Sequence, residues 1–195
     1  MITSNVWKGC AAGIAGGLTA TIVMTGFQEA WQAISRRSSN DSKEGYSEKQ
    51  ASRLDAEDSQ TESPSRNMGK QKSASENPTE KVARKVVSVA GTELSSSAKK
   101  KGGMVVHYAF GTLVGGLYGA ALEFAPRRYR RSPLRSGLVM GSTLFAAADE
   151  IALPALSLTE GPTKTPVSAH IYGLLSHLVY GATAGLVTRE LRKAI

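Results

Sequence analysis

Where this chain lacks charge constrains its fold more than any motif does. Most of its Lys, Arg, Asp and Glu residues fall between Arg36 and Lys101 or in short basic clusters. Four windows, residues 9–31, 103–124, 136–158 and 167–188, carry almost none. A helix rising 1.5 Å per residue needs roughly 20 residues to cross about 30 Å of hydrocarbon, and each window is long enough. The mean hydropathy, slightly below zero, hides this because a polar insert is averaged with apolar spans. Helices rich in Ala and Gly could also pack in a soluble bundle. A surface helix in water, however, shows a polar face at 3.6-residue spacing, and these windows show none.

The pattern predicts an all-α polytopic membrane protein, a four-transmembrane-helix bundle with a long, mostly disordered polar loop between helices 1 and 2. Residues 1–33 hold a short N-terminus and the first helix, 34–102 the polar loop, and 103–195 a three-helix membrane region. Trp7 and Trp31 bracket the first helix as interfacial aromatics do. That run exceeds a signal-peptide core of about 7–15 residues and lacks a clean small-x-small cleavage site near Ala30 or Ala33. Cys10, the single cysteine, follows no apolar stretch, so a lipoprotein anchor is not expected, and one thiol excludes an internal disulfide framework.

The insert, about residues 35–101, is rich in Ser, Lys, Glu and Asp, with Tyr46 its only aromatic. It cannot bury enough apolar surface to offset the entropy of ordering, so disorder is expected over residues 38–78. Residues 78–90 differ: Val82, Val86 and Val89 share a helical face, with Lys81, Arg84 and Lys85 elsewhere. This segment reads either as an amphipathic helix contacting anionic lipid or as a transient helix in a solvated linker.

Small residues recur four apart in every window: Gly9, Gly13 and Gly17; Gly111, Gly115 and Gly119; Gly137 and Gly141; Gly181 and Gly185. In lipid, such ridges let backbones approach closely and become a main source of packing energy. They predict tight helix packing and a homo-oligomer formed through one of the ridges. A short repeat accompanies them. His107-Tyr108-Ala109-Phe110-Gly111 with Gly115 is echoed by His177-Leu178-Val179-Tyr180-Gly181 with Gly185, a pair that fits duplicated halves or chance in Gly-rich helices.

A net charge of +8 raises nucleic acid as a partner, but Arg127, Arg128, Arg130, Arg131 and Arg135 sit between two apolar segments. They read as topology determinants, and no nucleic-acid partner is expected. The positive-inside rule puts these arginines, with Arg189, Arg192 and Lys193, in the cytoplasm. The result is a multi-pass inner-membrane protein with both termini cytoplasmic. Arg36, Arg37 and Lys99 to Lys101 oppose that orientation, although the rule weakens for loops beyond about 60 residues.

Ionisable groups at membrane depth are costly and mark sites. Asp149 and Glu150 lie within the third window, His177 within the fourth, and His107 and His170 near the ends of theirs. Counted from the window ends, Asp149 and His177 lie at similar depths and can meet. Pro154 lacks the amide proton that the Glu150 carbonyl would accept, which predicts a kink beside both acids. The five residues sketch a polar path from one surface toward mid-membrane, or else hydrogen-bonded glue between helices. Three histidines on two helices lack the spacing of a metal site, so neither metal nor cofactor is expected. No phosphate loop, HExxH or nucleophile elbow is present, and the chain is not expected to be an enzyme.

His107 opening a helix, Glu123-Phe124-Ala125-Pro126 closing it before a basic stretch, Gly137, Pro154 before Leu158-Thr159 and Pro162, His177-Leu178-Val179, and Arg189-Glu190-Leu191-Arg192 together resemble the YagU-like family of bacterial inner-membrane proteins. The resemblance covers about residues 103–195, and the Ser-rich insert departs from it. It implies location and architecture rather than activity. The functional expectation is a structural or regulatory envelope protein. The alternative is conduction or exchange of protons or small cations through Asp149, Glu150 and His177.

Overall fold

The computed structural model describes residues 5–54, 80–82, 84 and 96–195, with side chains for residues 5–38, 80–82, 84 and 97–195. The chain divides into two units, one of Met1–Phe27 with Glu76–Ile195 and one of Gln28–Ser75. The described residues are helical and contain no strand: α1 (Val6–Leu54), α2 (Ser96–Phe124), α3 (Arg127–Arg131), α4 (Pro133–Leu144), a π-helix (Phe145–Ala152), α5 (Leu153–Ala155), a 3-10 turn (Pro162–Lys164) and α6 (Val167–Ala194). Four stretches are long and apolar enough to cross a membrane: Val6–Ser38, Ser97–Phe124, Pro133–Ala155 and Val167–Ala194, the first to fourth spans.

Proline sets several boundaries. Ala125 precedes Pro126, and the residue before a proline is driven out of the helical region, so α2 stops at Phe124. Pro133 opens α4, where its missing amide proton costs nothing. The third span therefore starts three residues before the expected 136. It also ends at Ala155 rather than 158. Ser157 adopts φ 56°, the Leu158 amide bonds to Leu153 O at 2.9 Å, and the Ser157 amide bonds to Pro154 O at 2.9 Å. This is a Schellman ending with a serine where glycine is usual. Leu158, its hydrophobic partner, is buried.

Side-chain distribution in the first unit is inverted relative to a water-soluble bundle. The face of α1 turned inward carries Gly9, Ala12, Gly13, Gly16, Gly17, Ala20 and Thr21, all buried. Large aliphatics point outward: Ile22 is 54 % exposed, Leu117 63 % and Ile151 66 %. In water that arrangement would expose a broad apolar surface on every helix. In lipid it loses nothing, and small interior residues are what close helix packing requires.

The glycine ridges face each other within the chain, in two antiparallel hairpins. In the first, a Cβ built on Gly13 would overlap Gly115 O and one on Gly115 would overlap Gly13 O. Gly9 meets Gly119 in the same way, and Gly17 meets Gly111 O. In the second, Gly137 meets Gly181 O, Gly141 meets His177 O, and Gly185 meets Pro133 O. The ridges are thus paired with one another inside the chain. The two His-x-x-aromatic-Gly-x-x-x-Gly segments occupy equivalent places, each on the second helix of a hairpin.

Ala20, Met24, Tyr180 and Ala184 form the shared core, with Val114, Met140 and Leu144 packed against it. Polar contacts join the hairpins. Tyr180 donates to Gly111 O at 2.5 Å, and Tyr118 Oη lies 2.8 Å from Ser136 Oγ. At the end of the bundle that holds Lys8 and α3, Arg192 Nε bonds to Glu123 Oε1 at 2.5 Å and Lys8 Nζ to Ile195 O at 2.5 Å.

The second unit holds the remainder of α1, from Gln28 to Leu54. Disorder expected from residue 38 is corrected here, since the backbone is helical to Leu54. A helix already nucleated by an apolar span extends at one hydrogen bond per residue added, without the cost of starting. The first helix therefore continues well past the expected boundary at 33. The expected disorder over residues 55–78 lies outside the described residues. Within the expected helix 78–90, residues 80–82 and 84 are described and helical, and the rest lies outside. Lys81 Nζ donates to Leu158 O at 2.7 Å, and Glu80 covers Gly103. These contacts tie residues 80 and 81 to the ends of the second and third spans.

Candidate functional site: two carboxylate-histidine pairs

The π-helix Phe145–Ala152 carries both intramembrane acids. Its hydrogen bonds reach one residue further than in an α-helix, as the Leu153 amide bonded to Ala148 O shows. Such wide turns are rare and concentrate at functional sites. At this register the donor missing at Pro154 is the one that the Asp149 carbonyl would have received, not that of Glu150. The irregularity also sits ahead of Pro154, which lies inside α5, rather than at the proline.

The wide turn lets neighbouring acids reach histidines two turns apart on α6. Glu150 Oε1 lies 2.6 Å from His170 Nδ1, and Asp149 Oδ2 lies 3.7 Å from His177 Nδ1. The first is a short hydrogen bond. The second is an electrostatic contact only, because His177 Nδ1 donates to Gly173 O at 2.9 Å. His177 is buried, with the Phe145 ring 5.8 Å away between centroids. His107 faces the first span, its Nε2 3.5 Å from Thr25 Oγ1, and it remains within electrostatic reach of His177. Its ring is edge-on to Tyr108 at 5.9 Å. The five residues expected to form one path are thus two pairs between the third and fourth spans, with His107 on the second span in electrostatic reach of His177 alone.

The chemistry of the outer pair follows from its partners. His170 Nε2 lies 3.0 Å from Pro162 O, an acceptor without a proton, so Nε2 must donate. Nδ1 and Glu150 Oε1 then share one proton, as imidazolium with carboxylate or as imidazole with carboxylic acid. Without that proton, two lone pairs would oppose each other at 2.6 Å. The contact therefore holds one proton between its two heavy atoms.

A cleft of about 170 Å³ adjoins it, lined by Phe145, Asp149, Glu150, Thr159, Glu160 and His170 among others. It opens among the residues connecting the third and fourth spans and reaches Asp149, but His177 does not line it. Past that depth the glycine contacts of Gly141 and Gly137 close the helices together. Thr159 Oγ1 is buried without a partner. No pattern of charge or spacing singles out Thr159 or Phe145 in advance, and for Glu160 the only signal is its charge beside a window end. Arg127, Arg128, Arg130, Arg131 and Arg135 lie at the opposite end, four of them exposed and Arg130 partly so.

These observations define a multi-pass helical membrane protein with a cleft beside the Glu150–His170 pair, between its third and fourth spans. Comparison with family models, curated proteins and solved structures finds no match. The resemblance to the YagU-like family accordingly rests on the residues quoted for it.

Proposed function

We propose that this is a regulatory protein of the bacterial inner membrane, non-enzymatic, with both termini cytoplasmic, which takes up a proton at Glu150 and His170 from one side without passing it across. The observation that carries the proposal is the 2.6 Å contact between two atoms that need a shared proton, placed on a cleft that Asp149 also lines. Location and orientation rest on the positive-inside rule and on the YagU-like resemblance. The glycine contacts beyond the cleft favour a closed bundle over a conducting one.

Infrared difference spectra of the protein in liposomes, taken between acid and alkaline pH, test the proposal. Glu150→Gln should remove one carboxyl band, while proton flux across the liposomes stays at the level of empty ones. An unchanged spectrum leaves the pair as helix glue. The approach of His177 to Asp149 at 3.7 Å favours a second reading, conduction through Asp149 and His177. Flux that disappears in both Asp149→Asn and His177→Ala would replace the first reading with it.

A further inference from the structure

Four arginines stand between the second and third spans and a fifth, Arg135, in the first turn of the third, and nothing in the described protein neutralises them. Among the described residues none of Arg127, Arg128, Arg130, Arg131 and Arg135 is ion-paired. The acids at this end are already engaged, Glu123 with Arg192 at 2.5 Å and Glu190 with Lys193 at 2.8 Å. The internal field opposes the cluster as well. Arg135 lies in the first turn of α4, where the helix dipole disfavours a cation.

The connection is nevertheless held in place. Pro126 precedes α3 and Pro133 opens α4, the backbone of Pro133 is seated on Gly185, and Arg128 stacks over the Tyr129 ring at 5.2 Å. Four of the five side chains are exposed, so a counter-charge from outside the chain can reach them. Because they directly follow one membrane span and begin the next, that charge lies at headgroup depth.

We propose that this connection is a binding surface for an anionic phospholipid whose headgroup carries two phosphates. A guanidinium grips a phosphate through two parallel hydrogen bonds. Basic pockets at the ends of membrane helices bind lipids of this class. Five such groups exceed what a single phosphate neutralises.

Native mass spectrometry and thermal shift on the purified protein in neutral detergent test this, with four probes: a two-phosphate phospholipid, phosphatidylglycerol, phosphatidylcholine and inorganic pyrophosphate. The two-phosphate lipid should bind most tightly and raise the melting temperature, with pyrophosphate having no comparable effect. Replacing Arg128, Arg131 and Arg135 by Gln should weaken binding roughly a hundredfold, from about 1 kcal/mol per basic residue near the surface. Lys164→Gln, at the other end of the fourth span, should leave it unchanged. Replacing the same three arginines by Lys keeps the charge and the fold and should still weaken binding severalfold. Equal binding of phosphatidylcholine or phosphatidylglycerol overturns the proposal. So does equal stabilisation by pyrophosphate, or a Lys variant that binds as tightly as the natural chain.

Discussion

Tyr180 of the fourth span donates its hydroxyl proton to the backbone carbonyl of Gly111 in the second, at 2.5 Å. Tyr180 is 2 % exposed, so the hydroxyl has no water to turn to. Tyr180→Phe keeps the ring and removes this bond. It should lower stability by about 0.6 to 1.5 kcal/mol, read as a shift in the unfolding midpoint in mixed micelles.

Gly115 is wedged between two turns of the first helix, since a Cβ there would overlap both Gly13 O and Gly17 Cα. Gly115→Ala must push two backbones apart and should cost roughly 1 to 3 kcal/mol, as overpacking does. Gly26→Ala is the control. Nothing lies within 4 Å of its added methyl, and alanine's helix propensity should make it stabilising by up to about 1 kcal/mol. Opposite signs in one unfolding assay confirm the contact; equal effects refute it.

Ser157 holds the left-handed position that ends the third span. Ser157→Gly should stabilise the protein by about 0.5 to 1 kcal/mol, the left-handed penalty of an L residue less the entropy of glycine. Ser157→Val should destabilise it. Hydrogen exchange at the Leu158 amide, bonded to Leu153 O, reports the same change locally.

Thr188 is 3 % exposed and its hydroxyl has no partner, lying against Gly16 of the first span. Removing an unsatisfied buried hydroxyl relieves a desolvation penalty of about 1 to 3 kcal/mol. Thr188→Val, equal in shape, should therefore be neutral or stabilising. A clear loss of stability would mean that the hydroxyl has a partner after all.

The four spans were legible because a helix in water keeps a charged or polar face, so a run of roughly 20 residues without one points to hydrocarbon. The glycine spacing was legible too, but not its partner. A ridge at Gly13 and Gly17 states that a backbone will approach, and only the hairpin decides that the backbone belongs to Gly111 and Gly115 rather than to a second copy. Depth counting brought Asp149 near His177, yet it missed Glu150 with His170. It assumed a regular helix running to Leu158, whereas the π-helix redirects both acids and the span ends at Ala155. The polar residues from 38 onward look disordered by composition, which carries no information about a helix already started upstream.

The two hairpins differ in how long their partners must wait. Gly141 and Gly181 are separated by a short connection and leave the ribosome almost together, so the second hairpin can close as soon as it is made. Gly13 and Gly115 are separated by the whole polar insert, and closing a longer loop costs more entropy. The first helix must therefore sit alone in the bilayer, its glycine face turned to lipid, until the second arrives. During that interval the nascent chain, unlike the finished protein, presents an open ridge to whatever neighbour the membrane offers.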